Sequence, residues 1–231
     1  MKTLGVCGGI ASGKSQACKI LRDFPGVVAH IDADSLAHSV YAPGSIVIDE
    51  ISEHFGSDVI DDEGCVNRKA LGAIVFSSPE QMSALEKIVW PHVRLRLQDE
   101  LDRVESDLGQ VSKNVVDSSN SSKEDRIAVV EAAVMLDAGW QDMFDGLWVV
   151  KTPRDVAISR MVEYRKMSAD DASMRVDAQE TRRGIGNLDY EIQAGVVSAV
   201  VENNGDIDDL SEALKNAWDN PLSWKYEDTA S

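Results

Sequence analysis

Short apolar runs alternate with longer amphipathic stretches along this chain. Thr3 to Cys7 is the first such run and reads as a buried strand, followed by a turn at Gly8 to Gly13. Ser15 to Phe24 then carries Ala17, Leu21 and Phe24 at i, i+4 and i+7, the spacing of one helix face, and Pro25-Gly26 stops it. Val27 to Ile31 predicts a second strand. From Asp34 to about Leu108 the pattern is mostly helical, with turns at Pro43-Gly44, Asp62-Glu63-Gly64 and Ser77-Ser78-Pro79. Gly109 to Asp125 is rich in Ser, Asn and Lys and predicts a loop. Three more apolar runs, Ile127 to Val130, Leu147 to Val150 and Val196 to Val201, predict further strands. A charged helical segment from Pro153 to about Gln193 separates the last two. The tail from Asn220 to Ser231 is polar, with one tryptophan, and is expected to fray. Strands alternating with helices predict an α/β fold with a parallel five-stranded sheet and helices on both faces.

Composition narrows the function classes. A chain of 231 residues can bury roughly 70% of its unfolded surface and needs no disulfide or metal to fold. The formal net charge of −17 opposes a nucleic-acid backbone and an anionic membrane, so neither is expected as a partner. No apolar run approaches the roughly 20 residues needed to span a bilayer. The apolar N-terminal stretch is interrupted almost at once by glycines and Lys14, which favours a buried strand over a signal peptide. Cys7, Cys18 and Cys65 are odd in number and lack metal-type spacing, so reduced thiols in a cytoplasmic setting are expected.

The class is set by Gly8-Gly9-Ile10-Ala11-Ser12-Gly13-Lys14-Ser15, which fits G-x-x-x-x-G-K-[ST] in full between a strand and a helix. Glycines let backbone N–H groups turn inward around phosphate oxygens, and the helix N-terminus adds positive potential. Lys14 can reach the β- and γ-phosphates of ATP, and the Ser15 hydroxyl can ligate Mg²⁺. No Asn-Lys pair occurs, so the N-K-x-D element of a GTPase is missing, and Asp61-Asp62-Glu63-Gly64 reads as a turn.

Acidic residues follow at two strand ends. In Ile31-Asp32-Ala33-Asp34 the carboxylates stand at i and i+2, one face of an extended segment. One could accept a hydroxyl proton and the other hold Mg²⁺ through water; Asp34 is also a favoured helix N-cap. Glu131 ends the third strand either as a Walker B acid that serves Mg²⁺ directly or through water, or as an ordinary strand terminus. Arg154, Arg160, Arg165, Arg175, Arg182 and Arg183 crowd the segment between the fourth and fifth strands. Some are expected to neutralise phosphoryl charge and others to be a solvated face with acidic partners.

In order and spacing these pieces resemble the dephospho-coenzyme A kinase family, over about Thr3 to Leu214. The family's G-G-I-x-S-G-K-S loop is matched by Gly8 to Ser15, and its I-D-A-D-x-x-A-H by Ile31 to His38. Pro43-Gly44, Phe55-Gly56, Glu63-Gly64 with Arg68, Leu71 to Phe76 and Leu85 to Ile88 follow in turn. Val129 to Trp140 is similar to the eukaryotic form found in the bifunctional coenzyme A synthase. Ala178-Gln179 with Arg182 echoes the lid, and Asn203-Asn204-Gly205 the closing loop. The chain departs from the pattern at Trp90-Pro91-His92, at Gln16 and at Glu131.

The resemblance implies a P-loop nucleotide-binding core over residues 1–33, 126–152 and 194–220, a helical coenzyme A-binding insertion over 34–125 and a lid over 153–193. It implies transfer of the ATP γ-phosphoryl group to the 3′-hydroxyl of dephospho-coenzyme A. ATP would be held by Gly8 to Gln16, with Asn203, Asn204 and Gly205 near the adenine, and Mg²⁺ by Ser15 and Glu131. Lys14, Asp32, Asp34 and Arg182 would act in catalysis, with Asp34 favoured over Asp32 as the base. Two other readings compete: a P-loop kinase for another small molecule, such as a nucleoside monophosphate, and a non-catalytic nucleotide-binding scaffold.

Overall fold

The computed structural model describes residues 1–114, 126–183, 185–186 and 188–224. It divides into two compact units, Met1–Ile31 with Asp117–Ser231, and Asp32–Val116.

The first unit is built on a five-stranded sheet of β1 (Lys2–Cys7), β2 (Val27–Asp32), β3 (Ile127–Glu131), β4 (Gly146–Lys151) and β5 (Ala199–Glu202), in the order β2-β3-β1-β4-β5. β1 pairs in parallel with β3 and β4, and β4 in parallel with β5. β1 is therefore central, and the loop leaving it emerges mid-edge, at the carboxyl ends where open α/β sheets bind ligands. Alternate residues share a face. Leu4 and Val6, Ile127 and Val129, and Trp148 and Val150 form one core layer with Val201. Helix α1 (Lys14–Leu21) contributes Ala17, Cys18 and Leu21 to it; the C-terminal helix Ile207–Asp219 contributes Leu210 and Leu214. On the other face Phe144 packs against Gly5, where a Cβ would collide with its ring.

Three expectations need correction here. The fifth strand starts at Ala199, because the amides of Val196 and Val197 turn back onto the Glu191 carbonyl and close a helical turn. The tail does not fray through Trp224. Residues Pro221–Ser223 form a short 3₁₀ turn, Trp148 Nε1 donates to the Ser223 carbonyl at 2.8 Å, and the Trp224 ring lies edge-on to Trp148 and Trp218. Tryptophan carries enough apolar surface to hold a polar segment down. Third, strand β2 ends at Asp32, and Ala33 already opens a helix. Asp32 and Asp34 thus do not share an extended segment.

The second unit is helical: α2 (Ala33–Ser39), α3 (Ile46–Phe55), α4 (Arg68–Val75) and α5 (Pro79–Asn114). Asp32, not Asp34, caps α2, its carboxylate accepting from the amide and hydroxyl of Ser35. α5 runs through Pro91, and His92 on it meets Glu50 of α3 at 3.2 Å. It also continues past Gly109, so the predicted loop begins later than the polar composition implied; residues 115–125 and 225–231 lie outside the described part. Asp61 to Gly64 is a turn, with Asp61 Oδ1 accepting from the amides of Glu63 and Cys65.

Between β4 and β5 the first unit carries α6 (Arg154–Arg165), α7 (Ala169–Asp177) and α8 (Asp189–Gln193); the helix after β5 is α9 (Ile207–Asp219).

Candidate active site

The loop from Gly8 to Gly13 joins the buried end of β1 to the start of α1. Gly13, the N-cap of α1, has φ 90°, and a Cβ there would run into the Asn203 side chain. Ala11 holds φ 56°, a left-handed conformation that a residue with a Cβ seldom adopts. Ser12 is buried and its hydroxyl meets no hydrogen-bond partner among the described residues. Such strain and unmet polarity gather where backbone is shaped around a ligand.

Lys14 and Ser15 follow in the first turn of α1, and both turn to Glu131 at the end of the neighbouring strand β3. Glu131 Oε1 accepts from Lys14 Nζ at 2.7 Å and from Ser15 Oγ at 2.5 Å. Its Oε2 faces His30 Nε2 on β2 at 3.2 Å. Burial works against charge on Glu131, but hydrogen bonds from His30, Lys14 and Ser15, with the Lys14 charge, outweigh it and hold the carboxyl at about 2. Ser15 Oγ and Glu131 Oε1 are oxygen donors of the kind Mg²⁺ takes, and they already converge. By contrast, burial pushes the Cys7 thiol up to about 12, which makes it inert packing.

The segment after β4 comes over the loop. Gln179 Oε1 accepts from the Ile10 amide at 2.7 Å. Beneath it lies a cleft of about 490 Å³, lined by Gly9, Ile10 and Ser12 of the loop, Val149 to Arg154 of the β4 edge, and Gln179, Ile185 and Gly186. Arg160 reaches the loop, donating to the carbonyls of Ala11, Asn203 and Gly205 and to Asn203 Oδ1 at 3.2–3.4 Å. Arg182 Nη1 donates to Asp137 Oδ2 at 3.3 Å. Arg183 pairs with Glu191 through two bonds, and Arg154 likewise with Asp177. Arg165 and Arg175 are exposed. Of the Asn-Asn-Gly loop, Asn203 turns inward, its Nδ2 donating to the Ser12 carbonyl at 2.7 Å, while Asn204 is exposed.

Glycine loop, Lys14, Ser15 and Glu131 thus meet within one unit. Asp32 and Asp34 belong to the other, Asp34 in the first turn of α2. Reading the sequence missed His30 and Asp137 as partners of Glu131 and Arg182. His30 left a faint signal: it is a polar residue inside an apolar strand.

A parallel sheet with a glycine-rich loop at the end of its central strand, a lysine and a serine opening the next helix, and an acid on the adjacent strand define a P-loop phosphotransferase fold. The family model described as dephospho-CoA kinase matches residues 2–209. A dephospho-CoA kinase of Geobacter sulfurreducens is 31% identical over 94% of this chain and 98% of its own length. One from Symbiobacterium thermophilum is 30% identical over 94% and 80%. Among solved structures, TT1252 from Thermus thermophilus superposes with a TM-score of 0.64 at 26% identity, covering 94% of this chain and 96% of that one. The chain belongs to the dephospho-coenzyme A kinase family, whose kinase activity implies ATP as a substrate.

Proposed function

We infer that this chain transfers the γ-phosphoryl group of ATP to the 3′-hydroxyl of dephospho-coenzyme A, giving coenzyme A and ADP. The observation that carries the reading is the family match over residues 2–209, laid on a loop whose Lys14 and Ser15 both meet Glu131.

The backbone of the Gly8 to Gly13 loop, with Lys14, Ser15 and Gln16, cradles the ATP phosphates once the Ile10 amide is released from Gln179. Mg²⁺, when bound by Ser15 and Glu131, supplies charge neutralisation on the transferring group. Lys14 leaves Glu131 for the phosphate oxygens and stabilises charge that develops in transfer. Asn203 supports the cradle from beneath, and Asn204 and Gly205 border the adenine. Arg182, released from Asp137, faces the transferred group. Asp34 takes the proton of the acceptor hydroxyl. Asp32 is engaged with Ser35 as a cap and contributes by holding the helix start.

In domain terms, residues 1–33, 126–152 and 194–220 hold the nucleotide, 153–193 close over it, and 34–125 hold the coenzyme A moiety. An apolar groove of about 360 Å³ in the helical unit, lined by Tyr41, Arg68, Leu71, Val75 and Phe76 among others, supports that last assignment. A cytoplasmic location goes with the reading, where ATP and reducing conditions coincide.

The test is ADP release with ATP, Mg²⁺ and a panel of acceptors containing dephospho-coenzyme A and nucleoside monophosphates. Turnover only with dephospho-coenzyme A is expected. Preference for a nucleoside monophosphate would replace the substrate, and no ADP release with any acceptor would favour a binding scaffold. Lys14→Ala should lower turnover by roughly 10²-fold or more with the fold intact.

A further inference from the structure

Glu131 presents two oxygens to two different surroundings. Oε1 faces the phosphate loop, whereas Oε2 faces inward, toward His30. Behind it, one helical turn beyond Lys14, lies Cys18, fully buried on α1. A ligand atom from each of Cys18, His30 and Glu131 lies within 4.8 Å of the others. These are a thiol, an imidazole and a carboxylate, on three elements of one rigid sheet-and-helix core.

Tetrahedral zinc, with bonds of about 2.0–2.3 Å, sets its ligand atoms roughly 3.3–3.5 Å apart. His30 and Glu131 already stand at 3.2 Å. The Cys18 sulfur lies within 4.8 Å of both, so closing the site asks for a shift of roughly 1.3 Å or less there, and His30, with 17% of its side chain exposed, gives the ion a way in. A thiolate with an imidazole selects a borderline-soft d-block cation over Mg²⁺, which prefers oxygen throughout.

We propose that Cys18, His30 and Glu131 form a binding site for a d-block divalent cation, represented by Zn²⁺, whose occupation inhibits the enzyme. On binding, the Cys18 thiol gives its proton to solvent and the sulfur takes the metal. Water completes the coordination. Glu131 then shares its electron density with the new ion through Oε2. Its other oxygen loses strength as a partner for Ser15 and Lys14 and as a ligand for the catalytic cation. The site therefore acts on the phosphate loop from behind, without entering the ATP cleft.

Binding is independent of the kinase reading, while the inhibition rests on it, so the experiment has two arms. In the first, the full chain is stripped of metal and titrated with Co²⁺. A thiolate-to-cobalt charge-transfer band saturating at one ion per chain is expected, and Cys18→Ala should abolish it. In the second, turnover is followed at fixed Mg²⁺ and ATP while Zn²⁺ is raised. Wild type should lose activity, and Cys18→Ala should keep its basal rate and resist the ion. Cys18→Ser serves as the second variant if the alanine form folds poorly. The absence of a charge-transfer band in wild type, or a band that survives both variants, would overturn the site. Equal zinc sensitivity in wild type and both variants would overturn the inhibitory role and place zinc on ATP or elsewhere.

Discussion

Replacing Glu131 by glutamine keeps the shape of the side chain and removes its charge. The carboxylate is buried and sits 2.7 Å from Lys14 Nζ. At an effective dielectric of about 20 the gross attraction of such a pair is about 6 kcal/mol, and desolvation of the two ions offsets part of it. The lowered pKa of Glu131, to which Lys14 itself contributes, points to the same order of magnitude. A fall from 4.5 to about 2 on folding corresponds to about 3 kcal/mol of stability at neutral pH. Because the folded value lies below the unfolded one, this stability is fully present above about pH 4.5, and it fades as pH falls toward about 2. Glu131→Gln should therefore be less stable than wild type by about 2–3 kcal/mol at pH 7, and the gap should narrow from about pH 5 to about pH 3. Urea titration of metal-free protein, read by tryptophan fluorescence, measures this, since Trp148, Trp218 and Trp224 report on the unit that holds Glu131. A glutamine variant as stable as wild type at neutral pH would refute the reasoning. So would a gap that stays constant into acid, because the ion pair would then contribute nothing that titrates.

Four further outcomes are expected. Asp34→Asn should lower kcat by roughly 10²- to 10⁴-fold with ATP affinity kept, while Asp32→Ala should lose a helix cap and about 1 kcal/mol of stability; normal turnover in Asp34→Asn would move the base elsewhere. Arg182→Ala should lower kcat more than it raises the KM for ATP, since transition-state contacts appear in kcat; a pure KM effect would confine Arg182 to ground-state binding. Trp224→Ala should destabilise the nucleotide-binding unit by about 1–3 kcal/mol, measured by thermal or urea unfolding, and an unchanged midpoint would mean the tail contributes no stability.

The parts of the molecule that sequence patterns carry are those governed by local rules. Gly8 to Ser15 was legible because a strand, a glycine turn and a helix must follow one another there, and strands β1, β3 and β4 because buried parallel strands are continuous apolar runs. What stayed hidden depends on distant partners. The run Val196 to Val201 looks like one strand, yet its first residues answer to the Glu191 carbonyl. Polar composition at Asn220 to Trp224 concealed a tryptophan contact with β4. Asp32 and Asp34 looked equivalent, and only the start of α2 at Ala33 separates a cap from a first-turn carboxylate. His30 and Asp137 gained their partners from sheet order and from the fold of the segment after β4, neither of which a linear pattern encodes.

The bond from Asn203 to the Ser12 carbonyl joins residues 191 positions apart, and Gly13 has no room for anything but that amide beside it. On a ribosome the glycine loop is made 191 residues ahead of its support. Contacts of such long sequence separation form late, since the intervening chain must first be ordered. A nascent or truncated chain ending before residue 203 would expose the loop without its brace. Nucleotide affinity would then rise abruptly once residue 203 is in place, so that ATP would add its binding energy only to molecules whose loop is already braced.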